Sequence, residues 1–247
     1  MPTLVTPKDH YIPKHIAVQD HSSKMHDMDI AFQVEACRIQ LKEHVAPAWD
    51  AAAPGMSWLG KSAKLKPDEA ALLSYIDDDG NADSAGYHAK LGDVVYGLID
   101  VGQSNDPGTT LSHEACEIYG NAKLDRVVWG PNDWRYYVEL NDPCQRQTYT
   151  IKVTLFGMSR YVKVSDFVYP AWFGMKNPDG SLQTTHMDQP LKEFQVAPGG
   201  YQIVLTKGGQ TLFLNQGPFA MRRSKHSRTG RIMQGIGGTP YPKAVKP

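Results

Sequence analysis

The spacing of the apolar residues changes along this 247-residue chain, and that change limits its fold more than any other feature. From Ile30 to Val45, apolar residues recur every three or four positions, which predicts an amphipathic helix over 30–45. A second helix is predicted over 109–121, where Thr109 or Thr110 can cap the first turn. Short runs rich in β-branched and aromatic residues then alternate with turn residues, which predicts strands. Together these patterns indicate an α+β fold.

We expect the two helices to pack on an antiparallel sheet, built mostly from 94–101 and 134–168. A short additional helix is predicted over 67–75, because its first residues, Pro-Asp-Glu, suit the first turn of a helix. The body is expected to span 29–220.

Two segments flank this predicted body. Residues 1–28 have no apolar periodicity and are expected to form an extended arm, and residues 221–247 form a basic tail rich in Gly and Pro. The formal net charge is zero, yet eight basic and no acidic residues follow Glu193, so residues 1–193 hold 18 basic against 26 acidic residues. This polarity predicts that the arm and the tail bind other protein subunits. Nucleic acid is an alternative partner without a supporting motif, and a solvated basic end is the simplest alternative.

The sequence gives no sign of a membrane protein or a secreted protein. It has no run of roughly 20 apolar residues, and its first 29 residues lack the apolar core of a secretory signal. Three widely spaced cysteines, Cys37, Cys116 and Cys144, are expected to be reduced thiols. We expect a protein of the cytoplasm or one incorporated into a phage particle.

The most specific local motif is His113-Glu114-x-x-Glu117 on the second predicted helix. Residues four apart share a helix face, so His113 and Glu117 can bind one metal ion while Glu114 activates the attacking water. A divalent ion is expected, with Zn²⁺ first and Mn²⁺ or Fe²⁺ as alternatives, because a carboxylate ligand suits all three. The alternative is an exposed helix on which His113 and Glu117 form a simple ion pair.

A third metal ligand is needed, and Glu139 and Asp142 are the candidates, with His88 less favoured. The alternatives are ordinary: Glu139 as a solvent-facing strand residue, Asp142 as a turn residue before Pro143, and His88 as a hydrogen-bonded loop residue. Cys116 is expected to be a buried small hydrophobic residue rather than a nucleophile.

Several blocks between about residues 30 and 175 resemble a family of largely uncharacterised bacterial and phage proteins. The resemblance is to its Gly-Tyr-His strand, its Ser-His-Glu-x-x-Glu helix, its Glu-x-x-Asp-Pro strand end and its Val-Ser-Asp-Phe-x-x-Pro-x-Trp-Phe block. In this chain these blocks are Gly86–His88 with Val94–Tyr96, Leu111–Glu117, Tyr137–Pro143 and Val164–Phe173.

That family is similar to the zincins, so the resemblance implies a strand, a metal-ligand helix and a downstream acidic ligand. It implies a metallopeptidase that hydrolyses amide bonds through an activated water. This chain departs from the family at Asn121-Ala122, where the family has Asp-Pro, and Asn121 offers only a neutral oxygen. The alternative function is a non-catalytic structural subunit of a large assembly such as a phage virion.

Overall fold

The computed structural model describes residues 11–59, 70–78 and 85–215. Within these ranges the chain combines two main helical segments with three β-sheets, so the mixture of helices and antiparallel pairs expected from the sequence is present. The tail 221–247 and the first ten residues of the expected arm lie outside the described ranges. No helix in the described part is both long and apolar enough to cross a membrane.

A five-stranded sheet forms one layer of the fold. Its strands are β1 His15–Asp20, β2 Gly55–Trp58, β3 Ala70–Ile76, β4 Gly86–Leu91 and β5 Val94–Asp100. Their order is β2-β1-β3-β5-β4, and β1, β2, β3 and β5 are parallel. Only the edge strand β4 is antiparallel to its neighbour, because it is joined to β5 by a tight turn at Gly92. A mixed sheet with one antiparallel edge strand results.

Two helical segments cover this sheet. Helix α1 (Asp27–Ile39) continues through a π-helical turn (Gln40–Val45) into the short α2 (Ala46–Ala48), and helix α3 spans Pro107–Asn121. The wide π turn directly precedes Pro47, whose ring would meet the carbonyl four residues earlier in a regular α-helix. Both main helices predicted from the sequence are confirmed.

The core lies between the helices and the sheet. Helix α1 packs against β2 and α3, and α3 packs against β3, β4 and β5. Fully buried Ile16, Leu73 and Ile99 of the sheet belong to one apolar cluster with Leu41 and Leu111 of the helices. Because α3 packs against the edge strand β4 as well as β3 and β5, the motif on α3 lies close to β4.

The remaining strands form two antiparallel sheets. They are the hairpin of β8 Thr148–Leu155 and β9 Met158–Ser165, and a sheet of β6 Val127–Trp129, β7 Arg135–Tyr137, β10 Tyr201–Leu205 and β11 Thr211–Asn215 in the order β11-β10-β7-β6. The β8–β9 hairpin packs on α1 and α3. The expectation of one antiparallel sheet from 94–101 and 134–168 is therefore wrong, because these runs contribute to three different sheets.

Two local expectations are also corrected. Part of the arm expected over 1–28 is the buried strand β1, which lies between β2 and β3. The helix expected over 67–75 is contradicted by β3, which occupies 70–76 at the centre of the sheet. Parallel strands buried on both faces have near-continuous apolar sequences, and such short runs cannot be distinguished from helices by periodicity.

The Val-Ser-Asp-Phe block leads from β9 into an irregular but buried segment. Its aromatic residues Trp172 and Phe173 are at most 1% exposed, and the indole N–H of Trp172 donates to the carbonyl of Gln195 at 2.7 Å. The indole N–H of Trp49, beyond α2, donates to the carbonyl of Val168 at 3.1 Å. The Trp49 contact joins the segment after β9 to the helical layer, and the Trp172 contact joins it to the chain at residue 195.

Candidate metal centre

Helix α3 carries the candidate motif, and its start is fixed by Asp106. The side chain of Asp106 accepts a hydrogen bond from the backbone N–H of Thr109 at 3.2 Å. Pro107 follows in the first turn, where a missing N–H costs nothing. The cap therefore lies three residues before the Thr109 expected from the sequence, and it fixes where the motif residues lie along the helix axis.

Two buried contacts hold α3 against the segments that follow it. The hydroxyl of Ser112 donates to the carbonyl of Thr109 at 3.0 Å and accepts from the backbone N–H of Ser165 at 2.7 Å. At the other end of α3, a Cβ on Gly120 would lie 2.7 Å from Cγ of Leu140, so only glycine allows this close approach. The helix is thereby fixed relative to the chain on both sides of Asp142.

Three candidate ligands predicted from the sequence meet beside α3. The Nε2 atom of His113 lies 2.9 Å from Oε1 of Glu117 and 3.2 Å from Oδ1 of Asp142, and the three ligand atoms lie within 4.8 Å of one another. Asp142 begins the turn Asp142–Cys144, and the preceding Asn141 donates from its side chain to the carbonyl of Asp166 at 2.7 Å. The side chain of His113 is 12% exposed, whereas Glu117 and Asp142 are fully buried.

Three carboxylates determine the charge of His113. Burial alone would lower the pKa of this imidazole, but the charges of Glu117 and Glu114 and the hydrogen bonds to Asp142 and Glu117 outweigh it and raise the pKa well above its usual value. Without a metal ion, a proton on His113 therefore supplies the positive charge that this group of acids requires. The same position suits a metal ion, which would replace that proton.

A second group of ligand atoms lies on the other side of Glu117. His88, on the edge strand β4, has its Nδ1 atom 3.5 Å from Oε2 of Glu114 and 3.4 Å from Oε2 of Glu117. The other ring nitrogen, Nε2, lies 3.3 Å from the backbone carbonyl of Asn121. All three side chains of this group are at most 2% exposed. His88, the less favoured residue in the sequence, is thus brought next to the motif because β4 and α3 are neighbours.

Glu139 is not brought into either group. Its side chain is fully buried, but the metal-ligand groups of the described residues include Asp142 and not Glu139. The chain bends tightly here, since the N–H of Glu139 donates to the carbonyl of Tyr137 at 3.0 Å. Of these two acids, Asp142 is the one that contacts His113. The alternative of a solvent-facing Glu139 is also wrong, because the residue has no exposed surface.

Asn121, where the resembled family has Asp, forms hydrogen bonds within the turn that follows α3. The side chain of Asn121 accepts from the backbone N–H of Arg126 at 2.8 Å and donates to the carbonyl of the same residue at 3.3 Å. Asn121 therefore closes the turn after α3 with its side chain, and only its backbone carbonyl is directed to His88.

Cys116, between the charged motif residues, is fully buried. Burial raises the pKa of its thiol well above the usual value, as expected for a small hydrophobic residue rather than a thiolate nucleophile. Cys37, Cys116 and Cys144 are all free thiols.

The candidate centre lies beneath the protein surface. A cavity of about 760 Å³ beside α1 and β2 is lined by residues including Arg38, Lys42 and Asp50, and it includes no residue of the two ligand groups. Among the ligands, His113 has the largest exposed fraction of its side chain.

Comparisons with protein-family models, with curated proteins and with solved structures gave no match for this chain.

Proposed function

We propose that this protein is a metal-dependent hydrolase of zincin-like architecture that cleaves amide bonds with an activated water molecule. The observation that carries the proposal is the convergence of His113, Glu117 and Asp142 on one point, with Glu114 next to Glu117 in the adjoining ligand group. The order of the parts also supports it. A strand (β5), a ligand-bearing helix (α3) and a downstream acidic ligand (Asp142) follow one another as the family resemblance implies.

The donor set fits a divalent cation. One imidazole nitrogen and two carboxylate oxygens are ligands that Zn²⁺ accepts, and Mn²⁺ or Fe²⁺ tolerate the same set. Ligand atoms about 2.1 Å from a tetrahedral ion lie about 3.4 Å apart. The separations from Nε2 of His113, 2.9 Å and 3.2 Å, need to open by only a few tenths of an ångström.

The metal ion, when bound, would polarise a substrate carbonyl and lower the pKa of water at the centre. The protein's own residues supply the rest. Asp142 and Glu117 orient the imidazole of His113 before a metal ion binds, and both would then be ligands beside it; their buried position keeps bulk water from competing with them.

Glu114 is the proposed general base. Its carboxylate is 2% exposed and shares its surroundings with Glu117, so it is directed into the centre rather than toward solvent. In this role Glu114 accepts a proton from the attacking water and returns it to the departing amine, which leaves the carboxylate unchanged after each turnover. His88 Nδ1 lies 3.5 Å from Oε2 of Glu114, close enough to influence its orientation.

A Glu114→Gln variant tests the proposal. The full chain is loaded with one equivalent of Zn²⁺ and incubated with unfolded casein and with a fluorogenic peptide library. The substitution should lower hydrolysis by about 10²- to 10⁴-fold, the usual contribution of a general base. The ion at His113 should stay bound, because Glu114 is not one of its ligands. Equal hydrolysis by both proteins would reject the role of Glu114.

Glu35→Gln is the matched control, because Glu35 lies at the surface in a pair with Arg38. This variant should retain full activity. Metal analysis of the purified wild-type protein gives an independent readout, and a chain that neither retains nor binds a divalent ion would exclude the hydrolase.

The polarity of the sequence supports a second candidate function, that of a structural subunit. Eight basic and no acidic residues follow Glu193, while the preceding part carries an excess of acids, as a contact between neighbouring subunits would require. In this function the chain joins a large assembly, such as a phage virion, through residues 221–247 and the part of the expected arm that precedes the buried strand β1. Deleting 221–247 should then abolish assembly in sedimentation experiments at low salt without altering the melting temperature. An assembly that forms equally well after truncation would contradict this function.

A further inference from the structure

We infer a second divalent-cation site in the same centre, formed by Nδ1 of His88, Oε2 of Glu114 and Oε2 of Glu117. The inference does not depend on hydrolysis, because it concerns binding alone. All three side chains are at least 98% buried, and their ligand atoms lie within 4.8 Å of one another. The cation expected there is Zn²⁺ or Mn²⁺, which accept one imidazole and two carboxylates.

The hydrogen bond of His88 to Asn121 decides which ring nitrogen can bind the cation. A carbonyl oxygen only accepts, so Nε2 of His88 donates its proton to the backbone oxygen of Asn121 at 3.3 Å. In a neutral ring this leaves the lone pair on Nδ1, on the side of the two carboxylates. Histidines that bind metals usually donate their other N–H to a carbonyl or a carboxylate in this way.

The distances around Nδ1 fit a cation better than a hydrogen bond. Charge-assisted N–H···O hydrogen bonds are about 2.7–2.9 Å long, whereas Nδ1 lies 3.5 Å from Glu114 and 3.4 Å from Glu117. Ligand atoms at about 2.1 Å from a tetrahedral ion are about 3.4 Å apart. Both separations from Nδ1 therefore match the spacing of ligands around one ion, and the two carboxylate oxygens lie within 4.8 Å of each other. A dication would also offset the cost of burying two carboxylates side by side.

Glu117 joins the two sites through its two oxygen atoms. Oε1 is directed to His113, and Oε2 is directed to His88. One carboxylate with each oxygen in a different ligand group can bridge two ions, which in paired sites lie about 3.5–4 Å apart. The geometry thus assigns one ion to His113 with Asp142 and the other to His88 with Glu114.

Gly86 allows the edge strand to approach the helix closely enough for this site. A Cβ at Gly86 would lie 2.5 Å from Cγ2 of Thr110 and 3.4 Å from Oε1 of Glu114. A side chain at this position would require either Thr110 or β4 to shift, and a shift of β4 would move His88, two residues further along the strand. The close approach is consistent with a built site rather than with a chance meeting of acids.

The second ion and the base role of Glu114 compete for the same carboxylate. When the ion occupies the His88 group, Oε2 of Glu114 is a ligand and is no longer available to accept a proton from water. We therefore expect excess Zn²⁺ to inhibit a protein that one equivalent activates. This consequence rests on the proposed function, whereas the binding site itself does not.

The test is a binding titration of the full chain after removal of metal by a chelator. The probe is Zn²⁺ alone, followed by calorimetry and by elemental analysis. The wild-type protein should bind two equivalents, His88→Gln one and His113→Gln one, with affinity at the altered site reduced at least about 100-fold. His21→Gln, at an exposed position, is the matched control and should keep two. A wild-type protein that binds one equivalent, lost in His113→Gln and retained in His88→Gln, would overturn the second site.

The opposite pattern separates this inference from the proposed function. One equivalent lost only in His88→Gln would support the His88 site and remove the hydrolase centre at His113. If the variants fail to fold, as circular dichroism would show, the wild-type protein still decides the question. In long-range ¹H–¹⁵N spectra, Nδ1 of His88 should shift when the second equivalent of Zn²⁺ is added, while Nε2 stays protonated. An unchanged Nδ1 resonance would refute the site.

Discussion

His113 and Glu117, one helical turn apart on α3, approach each other to 2.9 Å between Nε2 and Oε1. Their spacing of four residues makes this contact available to any helix, but here it is buried and is joined by Asp142 from a distant turn. Glu117 links the two ligand groups, because it belongs to each of them. The behaviour of this pair toward protons and cations can be tested directly.

Cation binding at His113 should depend strongly on pH. Burial opposes the charged imidazole, but Glu117 and Asp142 raise the pKa of His113 well above its usual value, so the ring is protonated at neutral pH. A cation must displace that proton, and affinity should therefore rise about tenfold per pH unit until the pH exceeds the raised pKa. Calorimetry of His88→Gln in two buffers of different ionisation enthalpy should give close to one proton released per ion at pH 7. Binding heats that are independent of the buffer would contradict this prediction.

Replacing Ser112 by alanine should destabilise the fold and loosen the centre. The hydroxyl of Ser112 accepts from the buried N–H of Ser165, which would be left without that acceptor, at a cost of about 1–3 kcal/mol in the free energy of unfolding. Urea unfolding of the metal-free protein measures this change. Thr154→Ala, which removes an exposed hydroxyl pair with Ser159, should change stability far less. Equal losses in the two variants would mean that the Ser112 contact has no special role.

The free energy of unfolding should depend on pH through the titration of Asp166. Burial raises the pKa of this carboxyl from 3.8 to about 6. The folded state thus holds the proton more tightly than the unfolded state, so the stabilisation is complete below about pH 4 and is lost as the pH rises through 6. The loss is on the order of 3 kcal/mol. The free energy of unfolding of Asp166→Asn should lack this loss between pH 4 and 6. Parallel curves of unfolding free energy against pH for the two proteins would refute the assignment.

Replacing Gly120 by alanine should destabilise the protein although alanine favours helices. The added Cβ would meet Cγ of the fully buried Leu140 at 2.7 Å, and overpacking of this kind costs about 1–3 kcal/mol. The gain in helix propensity, about 1 kcal/mol, offsets only part of that cost. Gly208→Ala, whose Cβ would have only one neighbour at 3.8 Å, is the control. A higher melting temperature for Gly120→Ala than for the wild-type protein would contradict this prediction, because it would mean that the Leu140 side chain moves aside at little cost.

The parts of the fold that the sequence predicts well are those with a clear period or clear turn residues. Helices over 30–45 and 109–121 are confirmed, as is a strand over 94–101. Strand β3 could not be predicted from periodicity. Its buried residues Ala71, Leu73 and Tyr75 lie in a central parallel strand whose apolar run does not alternate cleanly. The pairing of β1 between β2 and β3 depends on contacts far apart in the chain, which no local pattern encodes.

The candidate site divides in the same way. His113, Glu114 and Glu117 could be chosen from their spacing on one helix, and Asp142 from its position after a strand. The sequence could not decide whether Glu139 or Asp142 is the third ligand, because no sequence pattern indicates the bend between Tyr137 and Glu139. The place of His88 follows from the sheet order, which puts the edge strand β4 beside α3.

The position of His88 on an edge strand links the cation to the assembly of the sheet. Among the described strands β4 is paired with β5, and His88 is opposite Gly97 in that pair. A slip of one residue along β5 would turn Tyr87 or Ala89 toward Glu117 in its place. An ion held by His88 would therefore stabilise the observed register of the β4–β5 hairpin relative to every shifted register, in addition to the backbone pairing with β5.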